Sequence, residues 1–290
     1  MQTLERAVVY ECLGQRCIGI IHPVEATTGV VIVVGGPQYR VGSHRQFLLL
    51  ARSLASNGVP VFRFDYRGMG DSEGDIRSFE AVADDIKAAI DTFFSESPGL
   101  QSVVLWGLCD AASAALFYGQ SDSRVTGLVL LNPWVRTEAG QAKAYLKHYY
   151  LQRLLDKSFW QKVLSGKFNM MESVSSLFSF IKTSRSGGNA VATNAEVTEH
   201  QQVVKAKTAA LPERMLDGLK SFTGHVGIII SGDDLTAAEF EDMVKASRAW
   251  QKTLKLKQVE FHRLPEANHT FSRKVWRDEV AERTLSWVKR

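Results

Sequence analysis

Nowhere in this chain does an apolar run reach the length of a membrane span or a signal-peptide core, and the opening Met1-Gln2-Thr3-Leu4-Glu5-Arg6 does not begin one. The sequence therefore reads as soluble, unexported and cytoplasmic. Cysteine is scarce, and three residues make a poor disulfide framework. Cys12 and Cys17 flank a two-residue hairpin loop read as Gly14-Gln15, across which they would face each other, but a reducing compartment argues against a bridge. Charge of one sign is lacking too. The net charge is only +4, and the basic residues are scattered rather than striped, which excludes a nucleic-acid footprint and leaves small molecules as the expected partners. Internal repeats are absent.

What the chain does have is length and apolar content. Its 290 residues, 45% of them hydrophobic, suffice for one large α/β domain carrying an insertion. Strand-like segments rich in β-branched residues recur at Arg6 to Leu13, Arg16 to His22, Val30 to Val34, Val59 to Phe64, Ser102 to Trp106, Val125 to Leu131, Val226 to Ser231 and Gln258 to Leu264. The first two suit an antiparallel hairpin. The others are mostly separated by helical patterns such as Phe47 to Ser56, Phe79 to Phe94 and Trp276 to Val288, which predicts parallel crossovers and helices on both faces of the sheet. One interval breaks the alternation: Trp134 to Phe222 offers no convincing strand. Its first part, Ala139 to Leu164, is amphipathic and aromatic-rich, and Thr183 to Thr198 is crowded with Ser, Gly, Asn and Thr. Residues 1–133 and 223–290 are thus expected to form the core, with 134–222 a helical cap inserted between the sixth and seventh strands.

Chemistry concentrates at Gly107-Leu108-Cys109-Asp110-Ala111, which follows the apolar run Ser102 to Trp106 and opens the small-residue helix Ala111-Ala112-Ser113-Ala114-Ala115. Strand, tight turn and helix place a thiol at a strained tip, pushed out above the sheet with small neighbours on either side. This resembles the nucleophile elbow G-x-S-x-G of α/β-hydrolases, with Cys109 in place of serine and Ala111 in place of the last glycine.

A thiol nucleophile needs a base, and the base an orienting acid. Ile228-Ile229-Ile230-Ser231-Gly232-Asp233-Asp234 ends the seventh strand with two aspartates, and Pro265-Glu266-Ala267-Asn268-His269 follows the eighth with a histidine in a loop. Of the seven histidines, only His269 occupies that place. Thr236-Ala237-Ala238-Glu239 reads as a capping box, leaving both aspartates in the preceding loop; Asp234 is the preferred acid and Asp233 the alternative. The expected oxyanion donors are the backbone N–H of Asp110 and, from Gly35-Gly36-Pro37-Gln38-Tyr39, that of Gln38, since Pro37 has none. Phe64-Asp65-Tyr66-Arg67-Gly68-Met69-Gly70-Asp71-Ser72 resembles the D-x-R-G-x-G-x-S segment of many α/β-hydrolases, and its Asp/Arg pair is expected to tie loop to scaffold. Trp134, with several of Tyr145, Tyr149, Phe159 and Trp160, is expected to line the substrate wall of the cap.

With Val34-Gly35-Gly36-Pro37-Gln38-Tyr39-Arg40-Val41-Gly42, the elbow segment Leu105 to Ser113, and Ser231-Gly232-Asp233-Asp234-Leu235-Thr236-Ala237, the chain resembles the exosortase A system-associated hydrolase 1 family over nearly its whole length. That family is a bacterial branch of the α/β-hydrolases found with exosortase systems and extracellular polysaccharide synthesis. The resemblance implies a mostly parallel eight-stranded sheet. The triad is also similar to that of dienelactone hydrolase, although the larger insertion keeps lactone specificity from carrying over. The expected reaction is attack of Cys109 on an ester, thioester or lactone carbonyl, with no metal or cofactor required. An acyltransferase would use the same residues, and a catalytically idle binding module of the same pathway is the reading from another class.

Overall fold

In a computed structural model of the chain, the described residues are 5–36, 38–135 and 210–290. The chain divides into two units, Met1–Val135 with Leu211–Arg290, and Arg136–Ala210; all the described residues except Ala210 belong to the first.

The described residues form β1 (Arg6–Cys12), β2 (Gln15–His22), β3 (Thr28–Val33), α1 (Gln46–Ser56), β4 (Val61–Phe64), α2 (Ala83–Glu96), β5 (Ser102–Leu108), α3 (Asp110–Gly119), β6 (Val125–Leu131), α4 (Leu211–Ser221), β7 (His225–Asp233), α5 (Leu235–Ala246), α6 (Arg248–Thr253), β8 (Val259–Asn268) and α7 (Lys274–Val288). One eight-stranded sheet results, in the order β1-β2-β4-β3-β5-β6-β7-β8. The β1–β2 and β2–β4 pairs are antiparallel and the remaining pairs parallel. This is the α/β-hydrolase sheet that the sequence implied.

Helices cover both faces, α1 and α7 touching each other on one side, α2, α3 and α4 packed together on the other. Strands covered on both faces read as unbroken apolar runs, and Val30 to Val33 are indeed wholly buried. The edge strand β1 instead alternates, turning Val8, Tyr10 and Cys12 inward.

Three boundaries differ from the sequence reading. The β1–β2 loop is Leu13-Gly14, one residue earlier than expected, because a type I′ turn needs positive φ at both central positions, here 48° and 77°. Cys12 therefore pairs with Gln15 and Cys17 with Tyr10, and both thiols are buried and free. β8 runs on to Asn268, past Pro265, which an edge strand tolerates. Finally α4, assigned to the insertion, packs on the core: Met215 and Leu219 are buried, and Gly218 lies so close to the Leu116 carbonyl that a Cβ there would sit 2.9 Å from its oxygen. Residues 136–209 of the expected cap, with Tyr145, Tyr149, Phe159 and Trp160, lie outside the described residues.

Among the described residues, no helix is long and apolar enough to cross a membrane.

Candidate active site

The elbow is built by steric exclusion. Strand β5 delivers the chain to Cys109, whose φ of 63° and ψ of −125° lie where side chains are strained. A Cβ on Gly107 would fall 2.6 Å from the Ala111 carbonyl carbon and oxygen, so helix α3 can double back only over glycine. Ala111, fully buried, shows that a methyl is tolerated at the motif's last position. The backbone is pinned on both sides: the Cys109 N–H donates to the Leu131 carbonyl at 2.8 Å, and its carbonyl accepts from the N–H groups of Ala112 and Trp134 at 3.1 and 3.2 Å. The thiol itself is half-buried, at the N-cap of α3, where the helix dipole favours negative charge.

Opposite the elbow, His269 follows the last residue of β8, and its Nδ1 lies 2.9 Å from Asp234 Oδ2. Asp234 is itself the N-cap of α5, its Oδ1 accepting the Thr236 N–H at 3.2 Å and its Oδ2 the Ala237 N–H at 3.0 Å. The helix thus begins at Leu235 and not at a Thr236 capping box, because the aspartate carboxylate takes both amides. Asp233, the alternative acid, is the exposed last residue of β7 and pairs with Asn268 across the ladder. Burial alone would push the His269 imidazole down, but its hydrogen bonds to Asp234 and to the Cys109 thiol, with the charge on both, outweigh it and raise the ring to about 10. His269 therefore has Asp234 on its Nδ1 and the Cys109 thiol close enough to act on the ring.

The glycine loop after β3 is held to the elbow by a side chain. Asp110 Oδ1 accepts the Gly36 N–H at 2.7 Å, and a Cβ on Gly35 would collide with the same oxygen at 2.3 Å. Burial raises the Asp110 carboxyl above its ordinary value, opposed by N–H groups of Gly36, Ala111 and Asp110 itself and by the charge of His269. Gln38 turns its side chain away to accept the Ser43 N–H at 2.9 Å. Trp134, partly buried, joins the elbow through its backbone, its carbonyl accepting from Ser113 Oγ at 2.7 Å.

Residues 25–272 match the serine aminopeptidase S33 family, a span that holds the elbow, the acid and the histidine. The chain belongs to this family of α/β-hydrolases. Among solved structures, this S33 hydrolase is similar to the esterase Pf2001 of Pyrococcus furiosus, with a TM-score of 0.65 and 15% identity over 99% of this chain and 92% of that one. It is also similar to the α/β-hydrolase GrgF of Penicillium sp. sh18, with a TM-score of 0.62 and 16% identity over 99% and 98% of the two chains. Est1E of Butyrivibrio proteoclasticus, solved with ferulic acid bound, gives a TM-score of 0.60 and 14% identity over 98% and 100%. At such identities the likeness is one of fold. No curated protein matches the sequence.

Two devices that steady the loops of the S33 hydrolase escaped the sequence reading. Asn132, fully buried at the end of β6 with φ of 43°, accepts the Ser231 N–H on Oδ1 at 2.8 Å and donates from Nδ2 to the His269 carbonyl at 3.1 Å. One amide thereby ties the end of β7 to the histidine loop. Asn tolerates positive φ, and Asn-Pro at a strand end was the available signal. Arg40 is the second device: its backbone N–H donates to Asp65 Oδ1 at 2.6 Å and its guanidinium bridges Asp65 and Asp71. Asp65 and Arg67 tie the loop to the scaffold through separate partners: Arg67 makes a buried two-pronged bond to Asp85 of α2, at 2.9 and 2.8 Å.

Proposed function

We propose that this S33 hydrolase cleaves an ester, thioester or lactone of a small molecule through an acyl-cysteine on Cys109, with His269 and Asp234 completing the triad. The observation that carries this reading is His269 itself, with Asp234 on its Nδ1 and the Cys109 thiol beside the ring. A thiol beside a histidine at a helix N-terminus favours the thiolate, and in this reading the proton of the pair rests on His269. Cys109 then attacks as the thiolate, forming the carbon–sulfur bond, and the leaving group departs with the His269 proton. Water next attacks the thioester, His269 takes its proton, and the acid product leaves as the carbon–sulfur bond breaks. The N–H groups of Asp110 and Gln38 are the proposed oxyanion donors, since that of Gly36 is bound to a carboxylate.

The part of the insertion that precedes α4 is proposed to select the acyl group, with Trp134 as a residue of the substrate wall. The three quoted motifs favour the exosortase-associated branch of bacterial hydrolases, and hence a cytoplasmic step in exopolysaccharide assembly. Free, unbridged thiols agree with a reducing compartment. The test is a panel of p-nitrophenyl esters and acyl thioesters of graded length, with intact-mass detection of the adduct. An acyl group on Cys109 that water discharges supports hydrolysis. Discharge to an added alcohol or thiol alone would identify an acyltransferase, and no adduct with any ester would leave a binding module.

A further inference from the structure

A cavity of about 370 Å³ lies between α1 and α7 on the face of the sheet away from α2 and α3. Neither Cys109, Asp234 nor His269 lines it. Its wall is apolar, with Leu50, Leu131, Phe271 and Val280, and two side chains that line it carry buried N–H groups without a hydrogen-bond partner, Trp106 Nε1 and Gln46 Nε2. Trp106 is 2% exposed and Gln46 7%. An indole nitrogen can only donate, and a buried donor calls for an acceptor.

The electrostatics are mostly positive. Gln46 and Lys274 are the first residues of α1 and α7, so the cavity collects the positive ends of two helix dipoles. Arg45, Lys274 and Arg277 also line it, against a single carboxylate, Asp278, which pairs with Lys274; Arg277 donates to the Ser272 carbonyl. Unpartnered donors on two lining side chains, cations, two helix ends and aliphatic residues describe a site for an anion with an apolar body.

We propose that this cavity binds a small amphiphilic carboxylate, its oxygens accepting from Trp106 and Gln46 and its tail lying on Leu50, Phe271 and Val280. The proposal does not depend on the chemistry assigned to Cys109.

Titration calorimetry with octanoate tests it, on wild-type protein and on protein whose Cys109 has been alkylated with iodoacetamide. Octanoate is expected to bind one to one in both, with octan-1-ol about tenfold weaker or worse for want of the charged acceptor. Trp106→Phe keeps the ring and removes the donor, and should weaken octanoate about tenfold. Lys274→Glu, at a side chain 82% exposed, leaves folding intact and should weaken octanoate by reversing a charge at the site. Absence of binding at millimolar octanoate overturns the proposal, as does equal binding by wild type and Lys274→Glu. Loss of binding on alkylation would place the ligand at Cys109 instead and overturn it equally.

Discussion

Asp234 and His269 are joined by the same carboxylate oxygen that caps helix α5, Oδ2 lying 2.9 Å from the ring and 3.0 Å from the Ala237 nitrogen. Capping and orientation can be separated by substitution. Asn caps a helix about as well as Asp, so Asp234→Asn should melt within a few degrees of wild type while losing the charge that holds the His269 proton. A drop in kcat on the order of 10³–10⁴-fold is expected, the scale seen when a triad acid becomes an amide. Asp234→Ala should add a stability loss of about 1 kcal/mol from the missing cap. Denaturation curves and esterase rates on the two variants measure the two effects; an active Asp234→Asn enzyme would remove Asp234 from the mechanism.

The raised imidazole makes a prediction about pH. His269 goes from 6.5 in the unfolded chain to about 10 in the fold, but in the proposed thiolate–imidazolium pair its proton comes from Cys109, so the native pair holds a proton that the unfolded chain lacks only above the ordinary thiol value of about 8.5. That contribution to stability is lost as the pH rises from there through about 10. His22 works in the opposite sense, because burial, with the charge of Arg63, lowers it to about 4. The unfolded chain then binds more protons between 4 and 6.5, and stability falls as the medium is acidified through that window. Urea denaturation from pH 4 to pH 10 should show losses at both ends. His269→Gln should flatten the alkaline limb alone; an alkaline limb unchanged in that variant would mean that His269 carries no such proton.

Asn132 should behave as a positioning residue. Asn132→Ala leaves the buried Ser231 N–H and the His269 carbonyl without their partner, costing about 1–3 kcal/mol of stability. The released histidine loop should lower kcat at nearly constant KM, and the pH dependence of kcat should move toward an ordinary imidazole. Asn132→Asp keeps the acceptor for Ser231 and loses the donor to His269, so it should recover more stability than activity. Parallel recovery of both would mark Asn132 as merely structural.

What could be read along the chain was local. All eight strands followed from β-branched runs and turn residues, and the order elbow, acid, histidine followed from strand ends. What could not be read depends on contacts between distant segments or on competition within one turn. Asn132 reaches 99 residues forward to Ser231 and 137 to His269, and the Asn-Pro pair at the strand end signals its positive φ but neither partner. The hairpin slipped by one residue because Leu13, an unusual choice for positive φ, precedes the glycine in the turn. Asp234 was hidden as a cap by the Thr236 pattern two residues on, and α4 by its place next to a long segment without strands.

The contact between Gly35 and Asp110 makes a steric test of the oxyanion loop. A methyl at position 35 would stand 2.3 Å from Asp110 Oδ1 and 2.7 Å from the Leu108 carbonyl, so one of the two backbones must move. Gly35→Ala should cost about 1–3 kcal/mol, the usual penalty of overpacking, and should depress acylation of Cys109 far more than substrate binding. Pre-steady-state release of p-nitrophenol separates the two steps. A full-rate burst from a folded Gly35→Ala protein would show that the loop after β3 supplies no oxyanion donor.

Replacing Cys109 tests the covalent step itself. Serine fits the elbow, because the strained φ of 63° and the close packing of Gly107 on Ala111 concern the backbone and not the side-chain tip. Its hydroxyl is far less acidic than a thiol, so His269 would have to arrive unprotonated and remove the proton during attack, while Asp234, one of the two groups that raise the ring, still favours its protonated form. Cys109→Ser should therefore fold normally and turn over several orders of magnitude more slowly, with its residual activity rising toward alkaline pH as His269 deprotonates. Cys109→Ala should bind substrate and give only background. Rates for all three proteins across pH 6 to 10, on preparations checked by mass for wild-type carry-over, make the comparison. An alanine variant with the full rate would end the acyl-cysteine mechanism, and a serine variant with the wild-type pH profile would end the thiolate–imidazolium account of it.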